Sequence, residues 1–379
     1  MAEEKKKNFL TFFMDYSWYK KYLLPGFIMQ SVLIAGGYGT GRELVEFFVQ
    51  YGPTGGLMGM GLTTVLWIAL FALSFEFARV FKAYDYRTFF EKLIGPGWVI
   101  YEIAFIGLLF LIMGVVGAAS GSILRDTFGL PPLLGSGLFL VCVAYLTYSG
   151  SKAIEVALSW WSYLLYAVYL VFLYIGLTHF GDAISGNFAA HIVKPGWQLG
   201  GFKYAFYNIA VTSTVLFALN FLETRREAII SGICAAIICI APALFFYVVT
   251  VGFYPDVLSM EIPVNSIIEK MGVRFLLPVW LIVLFGTMIE TGVGFFHSIN
   301  ERINSTLVAK RGKGMSNVAR GAVGAGLALM GLAISNFGLI GLIAKGYGTI
   351  SWVFFILQGV ALFTIGLYKL HQHSQGKAA

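Results

Sequence analysis

The chain has 379 residues, of which 58% are hydrophobic, 16% aromatic and only 12% charged, against roughly 45–50% apolar and about 25% charged in soluble proteins. A sequence of mean hydropathy +0.79 cannot cover a water-facing surface, so a soluble enzyme, a disordered chain and a nucleic-acid-binding domain are all excluded. The net charge of +7 does not restore a nucleic-acid partner, because the basic residues sit in short clusters between apolar runs, the pattern of membrane topology.

The N-terminus begins with lysines but has no uninterrupted apolar core and no small-residue cleavage site, which argues against a removable signal. Its aromatic residues Phe9, Phe12, Phe13, Tyr16, Trp18 and Tyr19 suit the headgroup level of a bilayer. Residues 1–24 are therefore expected to be a cytoplasmic, interfacial segment. A helix needs about 20 apolar residues to cross a bilayer. With charges, proline and glycine as punctuation, ten segments meet that length. They run over 25–50, 55–80, 98–124, 132–149, 153–178, 203–222, 227–253, 274–298, 318–335 and 346–369. No connection is long enough for a separate domain, so 25–370 is expected to be one transmembrane unit and 371–379 a cytoplasmic tail.

Orientation follows from lysine and arginine. One side collects Lys5, Lys6, Lys7, Lys20, Lys21, Arg79, Lys82, Arg87, Lys92, Lys152, Arg225, Arg226, Arg302, Lys310, Arg311, Lys313, Arg320, Lys369 and Lys377, while the other holds only Arg125, Lys194, Lys203, Lys270 and Arg274. That bias predicts both termini in the cytoplasm and a cell-membrane location. The connections also repeat. After spans one and six the link is short, after two and seven it is long, and after three and eight it is intermediate. Two blocks of five spans, an odd number, must enter the membrane from opposite faces. The expected fold is thus an all-α integral membrane protein of ten helices in a 5+5 inverted repeat, a plan shared by many secondary transporters.

Within span one, Gly36-Gly37-Tyr38-Gly39-Thr40-Gly41-Arg42 places four glycines in the middle of the hydrocarbon. Each costs a helix about 1 kcal/mol. A break here would leave carbonyls suited to a cation and amides suited to an anionic group. The alternative is a continuous helix whose glycines permit close packing. Span six is the matching candidate for discontinuity. It has no glycine or proline between Tyr204 and Leu222, but carries Asn208, Thr212, Ser213 and Thr214 at mid-depth. Those hydroxyls could contact cargo or bond back to their own helix. Cys142, Cys234 and Cys239 all lie in apolar runs and read as packing residues.

The glycine-rich stretch through Glu43, followed by Glu46-Phe47-Phe48 and Gly52-Pro53, resembles the first helix of YkvI-type membrane proteins. That group is similar to the amino acid–polyamine–organocation (APC) superfamily, whose fold is the LeuT-type inverted repeat with discontinuous first and sixth helices. Tyr207-Asn208 and the threonines of span eight stand where the resemblance puts them. Arg42 stands where the family motif usually has glutamine. The resemblance implies a secondary transporter of a small solute, often an amino acid or amine, coupled to sodium or protons. It further implies that span eight lends hydroxyls to a sodium site, for which Thr287 and Thr291, one turn apart, could serve. Glu290 takes a place that is more often a hydroxyl residue.

An ionisable side chain inside a span is a functional hypothesis in itself. Glu290 lies mid-span; it could carry a proton, since charge is the costlier form away from water, or act as counter-ion to Arg42. Arg42 could clamp a substrate carboxylate or pair internally with Glu46 or Glu43. His297 is the one histidine in the expected spans and lies near a span end, and no nucleophile–base, metal-ligand or phosphate-loop pattern accompanies it, so no enzyme or cofactor is indicated. A channel, or a membrane sensor or scaffold, is the rival reading. The candidate substrate-binding residues are Gly36, Gly37, Tyr38, Gly39, Thr40, Gly41, Arg42, Asn208, Thr212, Ser213 and Thr214. The candidate coupling residues are Glu290, Thr287 and Thr291.

Overall fold

A computed structural model of the protein describes residues 17–34, 36–149, 152–273 and 275–376. Phe9, Phe12, Phe13 and Tyr16 lie outside the described residues, as does the side chain of His297. The described chain is helical throughout, with no strand among its described residues. Eight helical stretches are long and apolar enough to cross a membrane: Pro53–Phe81, Tyr86–Phe128, Tyr166–Ala189, Trp197–Phe221, Arg225–Val251, Leu276–Phe296, Val318–Ser335 and Leu339–Ser374. Expected spans one and four correspond to the shorter apolar helices Leu24–Leu33 and Pro132–Tyr148. The connection expected over 81–97 contains the amphipathic helix Tyr86–Ile94, capped by the Asp85 carboxylate on the Thr88 amide. The connection expected over 254–273 contains the helix Pro263–Met271.

The helices fall into two packed groups. Leu24–Leu33, Pro53–Phe81, Trp197–Asn208 and Arg225–Val251 form one; Trp98–Phe128, Pro132–Ser149, Leu276–Arg311 and Asn317–Ser335 form the other. Small residues let the first group close tightly. A Cβ on Gly232 would stand 2.5 Å from the Ala72 amide nitrogen and 2.6 Å from its Cα, so these two backbones touch directly.

Two of the basic residues expected on one face, Lys21 and Arg79, lie together beside 223–227. Lys21 Nζ lies 2.9 Å from Glu227 Oε1 and 3.4 Å from Glu223 Oε2. Arg79 reaches the Glu223 carbonyl at 3.0 Å and its own Glu76 at 2.8 Å. The Glu227 carboxylate holds the Lys21 ammonium above its ordinary value. Glu227 also completes a capping box: its amide donates to Thr224 Oγ1 at 3.2 Å, and its carboxylate accepts the Thr224 amide at 3.1 Å. Losing such a cap costs about 1 kcal/mol. Thr224→Ala is therefore expected to lower the unfolding midpoint in detergent by a few degrees; an unchanged midpoint would mean that the box adds nothing here.

Candidate functional site

The first helix is interrupted. Leu24–Leu33 ends at Ile34, whose ψ of 89° leaves the helical region. A single turn, Gly36–Gly39, follows, and a second helix runs from Arg42 to Phe47. The sequence reading placed the unwinding across 36–41, whereas the irregular residues flank a helical turn instead. Gly41 is the second irregular point, with φ +80°. Only glycine adopts that conformation freely, and a Cβ there would also meet Val264 Cγ2 at 2.8 Å.

The polar backbone of this stretch is already engaged. The Gly37 carbonyl accepts the Thr40 hydroxyl at 2.9 Å, and the Tyr38 carbonyl accepts the Gly41 amide at 2.9 Å. The Thr40 carbonyl accepts the Val264 amide at 3.1 Å, which ties the break to the 263–271 helix. Arg42, 6% exposed, extends this seal. Its Nη1 donates to the carbonyls of Leu258 and Met260 at 3.0 and 2.9 Å, and its Nη2 pairs with Glu46 at 3.2 Å. Of the roles open to Arg42, the internal pair is the one present, and the guanidinium is committed to closing this end of the molecule. Glu290 is accordingly not its counter-ion.

One turn earlier, beside Ser31 and Val32, a cavity of about 390 Å³ lies between the two helix groups. Ser213 and Thr214 line it from the first group; Phe105, Leu109, Ile112, Glu290, Thr291, Gly294 and Phe295 line it from the second; Tyr86 stands at its edge. The Tyr86 hydroxyl donates to Glu102, so this edge belongs to the same face as Arg87 and Lys92. Among the described lining residues Glu290 is the one charged side chain, and it makes no hydrogen bond or ion pair with a described residue. Four of the residues singled out in the sequence, Ser213, Thr214, Glu290 and Thr291, meet in this space although they are about 80 positions apart in sequence.

The others do not line it. Gly36 to Arg42 lie past Ile34, against the 254–273 connection. Asn208 is buried and donates to the Tyr204 carbonyl at 3.0 Å. Thr212 is buried and its hydroxyl has no described partner. Thr287 is buried and bonds back to Val283 at 2.9 Å, as Thr291 does to Thr287 at 3.0 Å and Thr214 to Val211 at 2.7 Å. Back-bonding uses each hydroxyl hydrogen and leaves the oxygen lone pairs for a cation or a donor. No group of three His, Cys, Asp or Glu side chains among the described residues could hold a metal ion.

The sixth helix bends without opening. Trp197–Asn208 tightens into a 3₁₀ turn over Ile209–Val211, returns to α at Thr212–Val215 and tightens again over Leu216–Phe221. All its junctions keep helical dihedrals, so the expected discontinuity is a change of hydrogen-bond register rather than an unwound segment. A buried side chain serves the altered register. Gln358 donates to the Ile209 carbonyl at 3.3 Å and accepts the Tyr101 hydroxyl at 3.4 Å, and Tyr101 shares a 2.7 Å hydrogen bond with Ser213 at the cavity wall. Neither Gln358 nor Tyr101 was singled out in the sequence. A glutamine amid the apolar run 350–366 was the available signal, since a buried amide must find partners.

Glu43 was read only as a partner for Arg42, and this too is corrected. It is 3% exposed and points away from Arg42. Its carboxylate accepts the Tyr207 hydroxyl from the sixth helix and the Tyr38 amide from the broken turn. A Cβ on Gly37 would lie 2.1 Å from Glu43 Oε1, so the glycine is the space this carboxylate occupies. Helical spacing contained the clue: positions 42 and 46 share a face, which turns position 43 elsewhere.

No protein-family model matches the chain. The membrane protein YkvI of Bacillus subtilis (strain 168) is 22% identical over 298 residues, which cover 75% of this chain and 81% of that protein. Among solved structures, MhsT in complex with L-phenylalanine superposes with a TM-score of 0.55 at 18% identity, covering 90% of this chain and 86% of that one. A Na⁺-coupled sialic acid symporter in a substrate-bound outward-open state gives 0.59 at 13% identity, covering 91% and 79%. The chain is thus similar to YkvI and shares the LeuT-type fold of these solved structures.

Proposed function

We propose that the protein is a cation-coupled secondary transporter of a small solute bearing an amino group, an amino acid or an amine, and that it works by alternating access. The observation that carries this reading is the cavity between the two helix groups, whose one charged lining residue, Glu290, has no described counter-ion. A carboxylate at membrane depth is retained at a cost of several kcal/mol, and a cationic group arriving with the cargo would offset it. Ser213, Thr214 and Thr291 add hydroxyl oxygens for the rest of the solute. A sodium ion would use the same oxygen-rich wall, with Thr287 one turn deeper; a proton would use Glu290 itself. The related structures bind L-phenylalanine and sialic acid, which supports cargo of this size.

Ten spans in a 5+5 inverted arrangement suit the two irregular helices, which begin corresponding blocks. Residues 25–370 then form one transport domain between an interfacial N-terminal segment, 1–24, and a tail, 371–379. With the face of Lys21, Arg79 and Lys92 in the cytoplasm, both termini lie there too. The cavity then opens inward at Tyr86, and Arg42 closes the outer side. Residues Gly36 to Arg42 would join the cargo path when the groups rock and that seal opens. The Arg42 bonds to Leu258 and Met260 speak against a continuously open channel.

A thermal-shift series on the purified protein with amino acids, amines and osmolytes, each with and without sodium, tests the proposal. Stabilisation by an amino-bearing solute is expected, at about 2.7 kcal/mol when the ligand is 100-fold above its Kd. That solute should then be concentrated by proteoliposomes under an imposed sodium or proton gradient. Binding without gradient-driven flux would leave a sensor instead.

A further inference from the structure

The cavity does not contain the most deeply enclosed carboxylate of the first helix. Glu43 is sealed from it, and no cation among the described residues faces it. The elements packed against residues 42–47 bear this out: the Val49–Tyr51 turn carries Tyr51 alone among titratable groups, and Lys203 of the sixth helix lies with its Nζ beside Gly348. The broken turn presents Tyr38, the sixth helix presents Tyr204 and Tyr207, and the last helix presents Tyr347 from a π-helical turn over Leu342–Tyr347. In that turn Lys345 is exposed and points away. The Arg225–Val251 helix presents Tyr247, whose hydroxyl is engaged by the carbonyls of Gly52 and Pro53. The Asp256–Ser259 turn carries only an exposed Asp256. Arg42, the neighbour in sequence, spends Nη1 and Nη2 on Leu258, Met260 and Glu46.

A carboxylate has room for about four hydrogen bonds. Here it receives two, one neutral hydroxyl and one amide, in surroundings of aromatic rings. An ion so placed lacks compensation, whereas the neutral acid is far less costly to bury. The two donors are themselves informative. The Tyr38 amide is free only because the helix stops at Ile34, so the carboxyl fills a gap that the break creates. Tyr207 lies two residues before the 3₁₀ turn of the sixth helix and stacks on Tyr347 at 4.5 Å between centroids and 9° between planes. One acid thus ties together the irregular points of both helices and the last helix.

We propose that Glu43 is a proton-binding site, whose carboxyl group holds a proton in this sealed conformation and releases it when the broken turn and Tyr207 move apart. Its place in a transport cycle rests on the function proposed above; its protonation does not. The proton enters and leaves as such, with Glu43 alternating between acid and carboxylate, and no other bond changes.

Infrared difference spectra of the full-length protein in lipid nanodiscs, taken between acidic and alkaline buffer, test the site directly. The carbonyl band of a protonated carboxyl is expected in the wild type, with one component lost in E43Q and kept in E290Q. Identical spectra for E43Q and wild type would overturn the proposal. Should E43Q fail to accumulate, Y207F keeps the acid and deletes one hydrogen bond, so the same component should shift in frequency; an unmoved band would overturn the assignment. In proteoliposomes E43Q should lose the response of solute uptake to a proton gradient, and a wild-type response would again overturn it. If neither protein moves any solute, the transport reading fails while the infrared result still decides the proton site.

Discussion

Gly232→Leu is expected to abolish recovery of folded protein, read as loss of the monodisperse peak in size-exclusion chromatography of detergent extracts. The ideal Cβ at this position lies 2.5 Å from the Ala72 nitrogen, 2.6 Å from its Cα and 2.9 Å from the Phe71 carbonyl carbon. All three are backbone atoms, so no rotamer change relieves the contact. Overpacking by a few methylenes where neighbours can adjust costs roughly 1–3 kcal/mol. Here four carbons would be driven against a main chain that cannot adjust, at a backbone-to-backbone contact within the first helix group, and the cost should exceed about 3 kcal/mol. Gly61→Leu is the control. It lies on the Pro53–Phe81 helix that Gly232 packs against, at a place where a Cβ would meet nothing within 4 Å, and leucine there should be neutral or stabilise by up to about 1 kcal/mol through helix propensity. Normal recovery of Gly232→Leu would show that the two helices do not pack as described.

Glu290→Gln is expected to weaken binding of an amino-bearing solute by about 10- to 100-fold, measured by isothermal titration or scintillation proximity. A hydrogen bond to a charged group contributes roughly 1.5–3 kcal/mol, and each 1.4 kcal/mol is about tenfold in Kd. Uptake driven by a proton gradient should be lost or uncoupled as well. Folding should persist, because Glu290 bonds to no described residue and the amide keeps its shape. Two outcomes would remove Glu290 from the site: unaltered affinity together with an unaltered pH response, or an equal loss for solutes that lack the amino group. This variant and E43Q report on different positions. Glu290 meets the cavity, where solute can reach it, while Glu43 is reached only when the break rearranges.

The resemblance of this chain to its structural relatives lies in arrangement more than in sequence, at 18% and 13% identity. The arrangement has a physical basis here. A helix broken at mid-depth must satisfy its freed backbone groups inside the protein. This chain does so with Thr40, Val264 and Glu43 on the first helix, and with Gln358 on the sixth. The cavity remains where the two helix groups part beside those irregular points.

Much of this was legible in sequence because lipid imposes coarse rules. Apolar length located the helical stretches, and the sidedness of lysine and arginine brought Lys21, Arg79 and 223–227 to one face. Consecutive glycines marked a break, and mid-span polarity picked out Ser213, Thr214, Glu290 and Thr291, which share one cavity. These features depend on composition along a single segment. What lies across from each segment does not, and there only the tertiary structure decided. Arg42 has several donors within one turn of two carboxylates, and spacing alone could not divide them. The 254–273 connection divides them, by offering the carbonyls of Leu258 and Met260 and leaving Glu43 to Tyr207. The glycine stretch was expected to face cargo, yet its Gly37 and Tyr38 carbonyls are taken from within and its Thr40 carbonyl by Val264, more than 220 residues away in sequence. Local sequence determines which groups a membrane helix must satisfy; the partner that satisfies each one comes from a distant segment, and only the packed fold brings it within hydrogen-bonding distance.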